Sequence, residues 1–197
     1  NYAFDQFGIV GNIFQNLTLS GNSSGDRCVA AITTDTTING GNYHIRDCAI
    51  YNMNILYCTT GLDFTGICYL NNFYNSNFSY CTTGFKFARG ASSDNGGQNR
   101  FFGVKVVLSG VCASIAEDSS AGSYAFFGCS LSESQYGIKT RVSINLVVTG
   151  CTFESLRDTG NGAGVYISYG LGQTDLNSYG TITITGNVFL GSDNSIM

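Results

Sequence analysis

Glu133 and Glu154 are the two carboxylates whose placement best suits acid–base chemistry. Glu133 follows Cys129 by four residues and Glu154 follows Cys151 by three. If those cysteines hold equivalent places in successive repeats, the two carboxyls lie near one another on adjacent levels. Glycoside hydrolysis uses two carboxyls about 5–5.5 Å apart for retention or about 6.5–9.5 Å for inversion. One repeat step with a small lateral offset reaches either spacing. Like charges sharing a site cannot both ionise freely, which is how a fold sets an acid beside a base. The plainer alternative is a pair of solvated surface glutamates. Glu117-Asp118, just before the turn Ser119-Ser120-Ala121-Gly122, is a second acidic spot of the same kind.

Binding chemistry points to three polar, Gly-rich stretches, residues 17–42, 88–100 and 155–180, which read as inserted loops. The last carries Tyr166, Tyr169 and Tyr179 beside Arg157, Asp158 and Asp175, and the second holds Arg89 and Arg100. Tyrosine faces pack on sugar rings, while guanidinium, amide and carboxylate groups bond sugar hydroxyls. The absence of Trp thins that case. Against it stands the reading of ordinary solvated loops with Tyr as generic surface.

Other chemistries find little support. With one His and no C-x-x-C pair, the sequence offers no zinc site, and no other metal or cofactor motif stands out. His44 has no nearby nucleophile and carboxylate to complete a triad and reads as a surface residue. A net charge of −4 with scattered Lys and Arg argues against a nucleic-acid partner. No apolar run approaches the length needed to span a membrane as a helix. The sequons at Asn16, Asn22 and Asn77 are expected by chance in so Asn-rich a chain.

The elements that must position these groups are short strands. Charged residues make up 11% of the chain and hydrophobic ones 43%, with 14 Phe and 12 Tyr, too much apolar surface for disorder. The segment Tyr51–Phe64 recurs as Tyr74–Phe87, 23 residues on, with nine of fourteen positions identical. A looser column runs Asn12, Cys48, Asn71, Val104, Cys129, Cys151, Asn187. Two residues later stands the apolar column Phe14, Ile50, Phe73, Val106, Leu131, Phe153, Phe189. Units of this size cannot bury their own inner face, but stacking them at about 4.8 Å per level does.

The expectation is therefore an all-β chain: a right-handed, single-stranded parallel β-helix of about seven rungs, one domain over residues 1–197. Asn is expected to stack with its amides bonding along the column. Cys48, Cys129 and Cys151 in one ladder, and Cys58 and Cys81 in another, are expected to be buried thiols. Gly61, Gly84, Gly137 and Gly164 are expected at corners with positive φ. Asp63 and Lys86, one level apart, are expected to form a surface ion pair, with Lys139 continuing their column. The opening Asn1-Tyr2-Ala3-Phe4 reads as the interior of a longer polypeptide.

The rungs and the recurrent starts Gly11-Asn12-Ile13-Phe14, Gly150-Cys151-Thr152-Phe153 and Gly186-Asn187-Val188-Phe189 resemble the pectate-lyase-like superfamily, and within it bacteriophage tailspikes most. That resemblance spans nearly the whole chain but rests on repeat texture, which specifies fold better than chemistry. It implies a homotrimer in the virion tail that recognises, and in some members depolymerises, bacterial surface polysaccharide. The alternatives are a non-catalytic structural or adhesive β-helix and a secreted polysaccharide lyase or hydrolase. The calcium-binding Asp cluster of the lyases and the paired Asp of polygalacturonases are both missing from this sequence.

Overall fold

The computed structural model describes residues 2–5, 9–21, 28–33, 44–64, 67–87, 98–107, 109–115, 122–141, 144–156, 162–168, 180–191 and 194–196. Among them every regular element is a β-strand, and every pairing between strands is parallel. The strands form four sheets, three of which run the length of a parallel β-helix.

Sheet I contains Ile13–Gln15, Ala49–Tyr51, Asn72–Tyr74, Asn99–Phe102, Ser123–Phe127, Asn145–Thr149 and Ile182–Thr185. Sheet II contains Thr18–Ser20, Asn54–Leu56, Asn77–Ser79, Lys105–Val107, Ser130–Ser132, Thr152–Glu154 and Val188–Leu190. Sheet III contains Tyr2–Asp5, Cys28–Thr33, Cys58–Phe64, Thr83–Phe87, Val111–Ile115, Tyr136–Arg141, Ala163–Ser168 and Asn194–Ile196. The chain visits I, II and III in turn and repeats. Sheet IV is a short fourth side with Ile9–Val10, His44–Arg46 and Ile67–Tyr69.

The corner between sheets I and II shows how local sequence closes each level. It is always two residues, and the first has left-handed φ: Asn16 (56°), Asn52 (51°), Asn75 (46°), then Gly103 (59°), Gly128 (59°), Gly150 (64°) and Gly186 (62°). Asn and Gly are the residues that reach this region at least cost. The second corner residue turns toward the core, as Met53, Val104, Cys129 and Cys151 do. Between sheets II and III the same bend uses Tyr57, Tyr80, Glu133, Ser155 and Gly191.

Alternation along each strand then sends one set of side chains inward. Sheet I contributes Ile50, Phe73, Phe101, Phe126 and Val148, and sheet II contributes Ile55, Phe78, Val106, Leu131 and Phe153, all fully buried. Phe73, Phe101 and Phe126 stack at 4.7 and 4.6 Å with their planes 8° apart. Burying a Phe contributes about 1.5–3 kcal/mol, so these ladders dominate the stability of the fold.

Three expectations need correction. The apolar column read from sequence joins two different columns. Phe14, Ile50 and Phe73 belong to sheet I and continue through Phe101, whereas Val106, Leu131, Phe153 and Phe189 belong to sheet II and begin from Leu19. Cys48 accordingly lies at the entry to sheet I, and Cys129 and Cys151 at the corner between I and II. Secondly, Gly61, Gly84 and Gly137 are not left-handed corners but strand residues of sheet III, and Gly164 lies in a strand as well. A Cβ on Gly61 would lie 2.8 Å from the Phe78 ring, and one on Gly137 2.6 Å from the Phe153 ring. These glycines admit the opposing ladder. Thirdly, the three stretches read as loops are partly strands: Thr18–Ser20, Cys28–Thr33, the start of Asn99–Phe102, and Ala163–Ser168.

The interior Asn side chains bond along the stack as expected for a ladder. Asn71 Nδ2 donates to Asn99 Oδ1 at 3.1 Å and to the Ile45 carbonyl at 3.0 Å, and Asn71 Oδ1 accepts from the Cys48 amide at 3.1 Å. Asn99 Nδ2 donates to the Cys68 carbonyl at 3.1 Å. Cys48, Cys58, Cys68, Cys81, Cys112, Cys129 and Cys151 are all buried thiols.

Candidate functional site on the outward faces

With the interior filled, chemistry belongs to the outward columns. Glu154 ends a strand of sheet II and pairs with Ser132 and Leu190 on neighbouring levels. Glu133 is the next residue after Ser132 and forms the left-handed corner, φ 51°. Its amide donates to the Glu154 carbonyl at 2.9 Å. The two carboxylates therefore stand on adjacent levels, offset by one residue, and both are exposed. The structure brings this pair together as a diagonal, not as one column.

Tyr166 is on sheet III, half-buried, in register with Lys139. Its ring centroid lies 5.1 Å from that of Tyr136, and Lys139 Nζ lies 5.9 Å from the Tyr136 ring. Tyr136 follows Glu133 by three residues, so Tyr166 shares a neighbourhood with the glutamate corner. Lys86 and Asp63 make the expected ion pair at 3.7 Å, and Lys139 continues that column through Ser114. Arg100 is exposed on sheet I, a different face from Glu133 and Glu154. Glu117, Asp118, Arg89, Arg157, Asp158, Tyr169, Asp175 and Tyr179 lie outside the described residues, as does Asn22. The strand His44–Arg46 places the single histidine in sheet IV.

Sequence reasoning missed an extended outward feature among the described residues. Tyr51, Tyr74, Phe102 and Phe127 occupy one outward column of sheet I and stack in series, at 4.6, 5.0 and 5.2 Å with planes within 16°. The signal was present in the doublets Phe101-Phe102 and Phe126-Phe127. Alternation must send one member of each doublet outward. Tyr57 and Tyr80 make a shorter stack at the II–III corner, 4.9 Å apart. Stacked rings cover one another's faces and turn their edges to solvent. Beside the long ridge runs a parallel column of smaller side chains, Ala49, Asn72, Ala125 and Val147, interrupted by Arg100. Ridge and low column together make a trough along the helix axis.

The seven described thiols are all buried and are not part of an exposed site. Burial pushes the Cys112 thiol up to about 12, and the Cys129 thiol is raised by its hydrogen bond with Cys151 and by burial. Among the described residues no group of three or more His, Cys, Asp or Glu is placed to hold a metal ion, and no helix is long and apolar enough to cross a membrane. Compared with known proteins, the chain matches no family model, no curated protein and no solved structure. The parallel β-helix is thus established by the strand pairing itself.

Proposed function

We propose that this β-helix recognises bacterial surface polysaccharide as a receptor-binding protein of the bacteriophage tailspike type. The observation that supports it is the axial trough on sheet I, flanked by the Tyr51–Tyr74–Phe102–Phe127 ridge. A linear polymer laid along a solenoid meets equivalent side chains at every level, about 4.8 Å apart, so many weak contacts add along one chain. In the enzymatic form of this reading a second contact, on the face between sheets II and III and away from the trough, has Glu133 and Glu154 act as the acid and base of glycosidic cleavage. The proposed assembly is a homotrimer in the virion tail.

The test is to incubate the purified protein with capsule and lipopolysaccharide preparations, measuring co-sedimentation together with the release of new ends. Binding with new reducing ends supports a hydrolase, and binding with unsaturated sugars supports a lyase. Binding without either supports an adhesive β-helix. An absence of binding to every preparation overturns the proposal. Light scattering on the same sample tests the trimer.

A further inference from the structure

The trough on sheet I deepens around Arg100 into a shallow pocket of about 150 Å³, lined by Gln98, Arg100, Ser123, Ala125, Asn145 and Val147. That is well short of the about 300–1,000 Å³ of a site that engulfs a small molecule. It suits one ring of a longer chain lying across it. Its floor is apolar because Ala125 and Val147 are adjacent in register on the outward side, and Phe127, two residues beyond Ala125, stands taller at the end of the ridge. Its rim is polar. Asn145 Oδ1 is already engaged by the Thr181 amide at 2.9 Å, and Asn145 Nδ2 reaches Ser123 Oγ only at 3.5 Å. An apolar floor with a polar rim matches the C–H face and hydroxyl edge of a pyranose.

The charge narrows the ligand further. Among the described residues of sheet I, Arg100 is the one charged side chain on the outward side. A guanidinium presents a planar fork that pairs with a carboxylate through two parallel hydrogen bonds. We propose that this pocket is a subsite for a carboxylate-bearing sugar, a uronate or sialate unit, with its ring over Ala125 and Val147 and its carboxylate on Arg100. The inference rests on the glycan reading above and assigns the charge and position of one unit within it.

The experiment is a methyl NMR titration with oligogalacturonate and oligosialate, each alongside its carboxyl-reduced neutral form. The Ala125 and Val147 methyl signals shift with at least one acidic oligomer. Carboxyl reduction or Arg100→Gln weakens that binding about tenfold, the scale of one charge-assisted hydrogen-bond pair. Ala125→Leu fills the floor and abolishes the shift at Val147 while far-UV circular dichroism stays unchanged. Unmoved methyls with both acidic oligomers overturn the inference, as does equal affinity for acidic and reduced forms or for wild type and Arg100→Gln. If capsule or lipopolysaccharide still co-sediments in those cases, this inference falls alone. If no preparation binds the wild-type protein, the glycan reading falls with it.

Discussion

Phe153 and Gly137 face each other across the core so closely that a Cβ on Gly137 would lie 2.6 Å from Phe153 Cδ1 and 2.6 Å from the Gly164 carbonyl oxygen. Neither obstacle can yield, since one is a fully buried ring and the other is backbone. Gly137→Ala is expected to lower stability by at least about 1–3 kcal/mol through overpacking. Gly128→Ala provides the contrast. Its φ is +59° and nothing lies within 4 Å of the added carbon, so only backbone strain of about 1–2 kcal/mol is expected. Urea midpoints of both variants check the order, and a Gly128 variant weaker than the Gly137 variant would refute it.

Phe101 occupies the middle of the inner stack, between Phe73 and Phe126, and Phe102 the outer one, between Tyr74 and Phe127. Phe101→Ala opens a cavity among fully buried rings and is expected to cost about 3–5 kcal/mol. Phe102→Ala removes a half-exposed ring and is expected to cost markedly less. Equal losses in thermal unfolding would mean that the outer ridge is as structural as the inner one.

Cys112 carries a pH prediction. Burial favours its neutral form, so the folded thiol titrates at about 12, above its ordinary value of 9.0. A raised acid binds more protons folded than unfolded, so its contribution is complete below pH 9.0 and declines as pH rises from there toward 12. Denaturant midpoints are expected to fall between pH 8.5 and 10.5, and to fall less steeply in Cys112→Ala. A parallel pH dependence in that variant would remove Cys112 as a contributor. Native protein at neutral pH is also expected to resist iodoacetamide at the seven described thiols until it unfolds.

For the glutamate diagonal, Glu133→Gln or Glu154→Gln is expected to abolish oligosaccharide release while leaving polysaccharide binding unchanged. Both side chains are exposed, so neither change should shift the melting temperature by more than a degree or two. Product release at wild-type rate from either variant excludes the pair from catalysis.

Much of this architecture was readable from the chain. Nine identities between Tyr51–Phe64 and Tyr74–Phe87 identify stacked levels and set Cys58 and Cys81 on successive levels, whereas the Asn71–Asn99 step was missed and the Cys48 column was joined to that of Cys129 and Cys151. The misjoined column has a specific cause. The two-residue I–II corner keeps inward residues five apart at every level, as in Phe73 and Phe78 or Phe101 and Val106. Moving from Phe73 to Val106 therefore looks like one long step, when it is a true step to Phe101 followed by a change of sheet. Glycine misled for a related reason. Gly128 is needed for its φ and Gly137 for its missing side chain, and sequence alone does not separate those uses. The outward aromatic ridge was hidden because inward and outward positions carry the same residue type, leaving no contrast in hydrophobicity to mark the faces.

The constant I–II corner has a counterpart in the stretches between sheets III and I. From Leu62 to Phe73 the path takes eleven residues, from Phe85 to Phe101 sixteen, and from Val165 to Ile184 nineteen. One side of the solenoid thus works as a ruler and another as a margin. Residues added or lost in the margin leave the graduations where they were, since each new level re-enters register at its own left-handed corner. Grafting and diversification belong on that margin, where a new segment changes what the protein displays without altering how it stands.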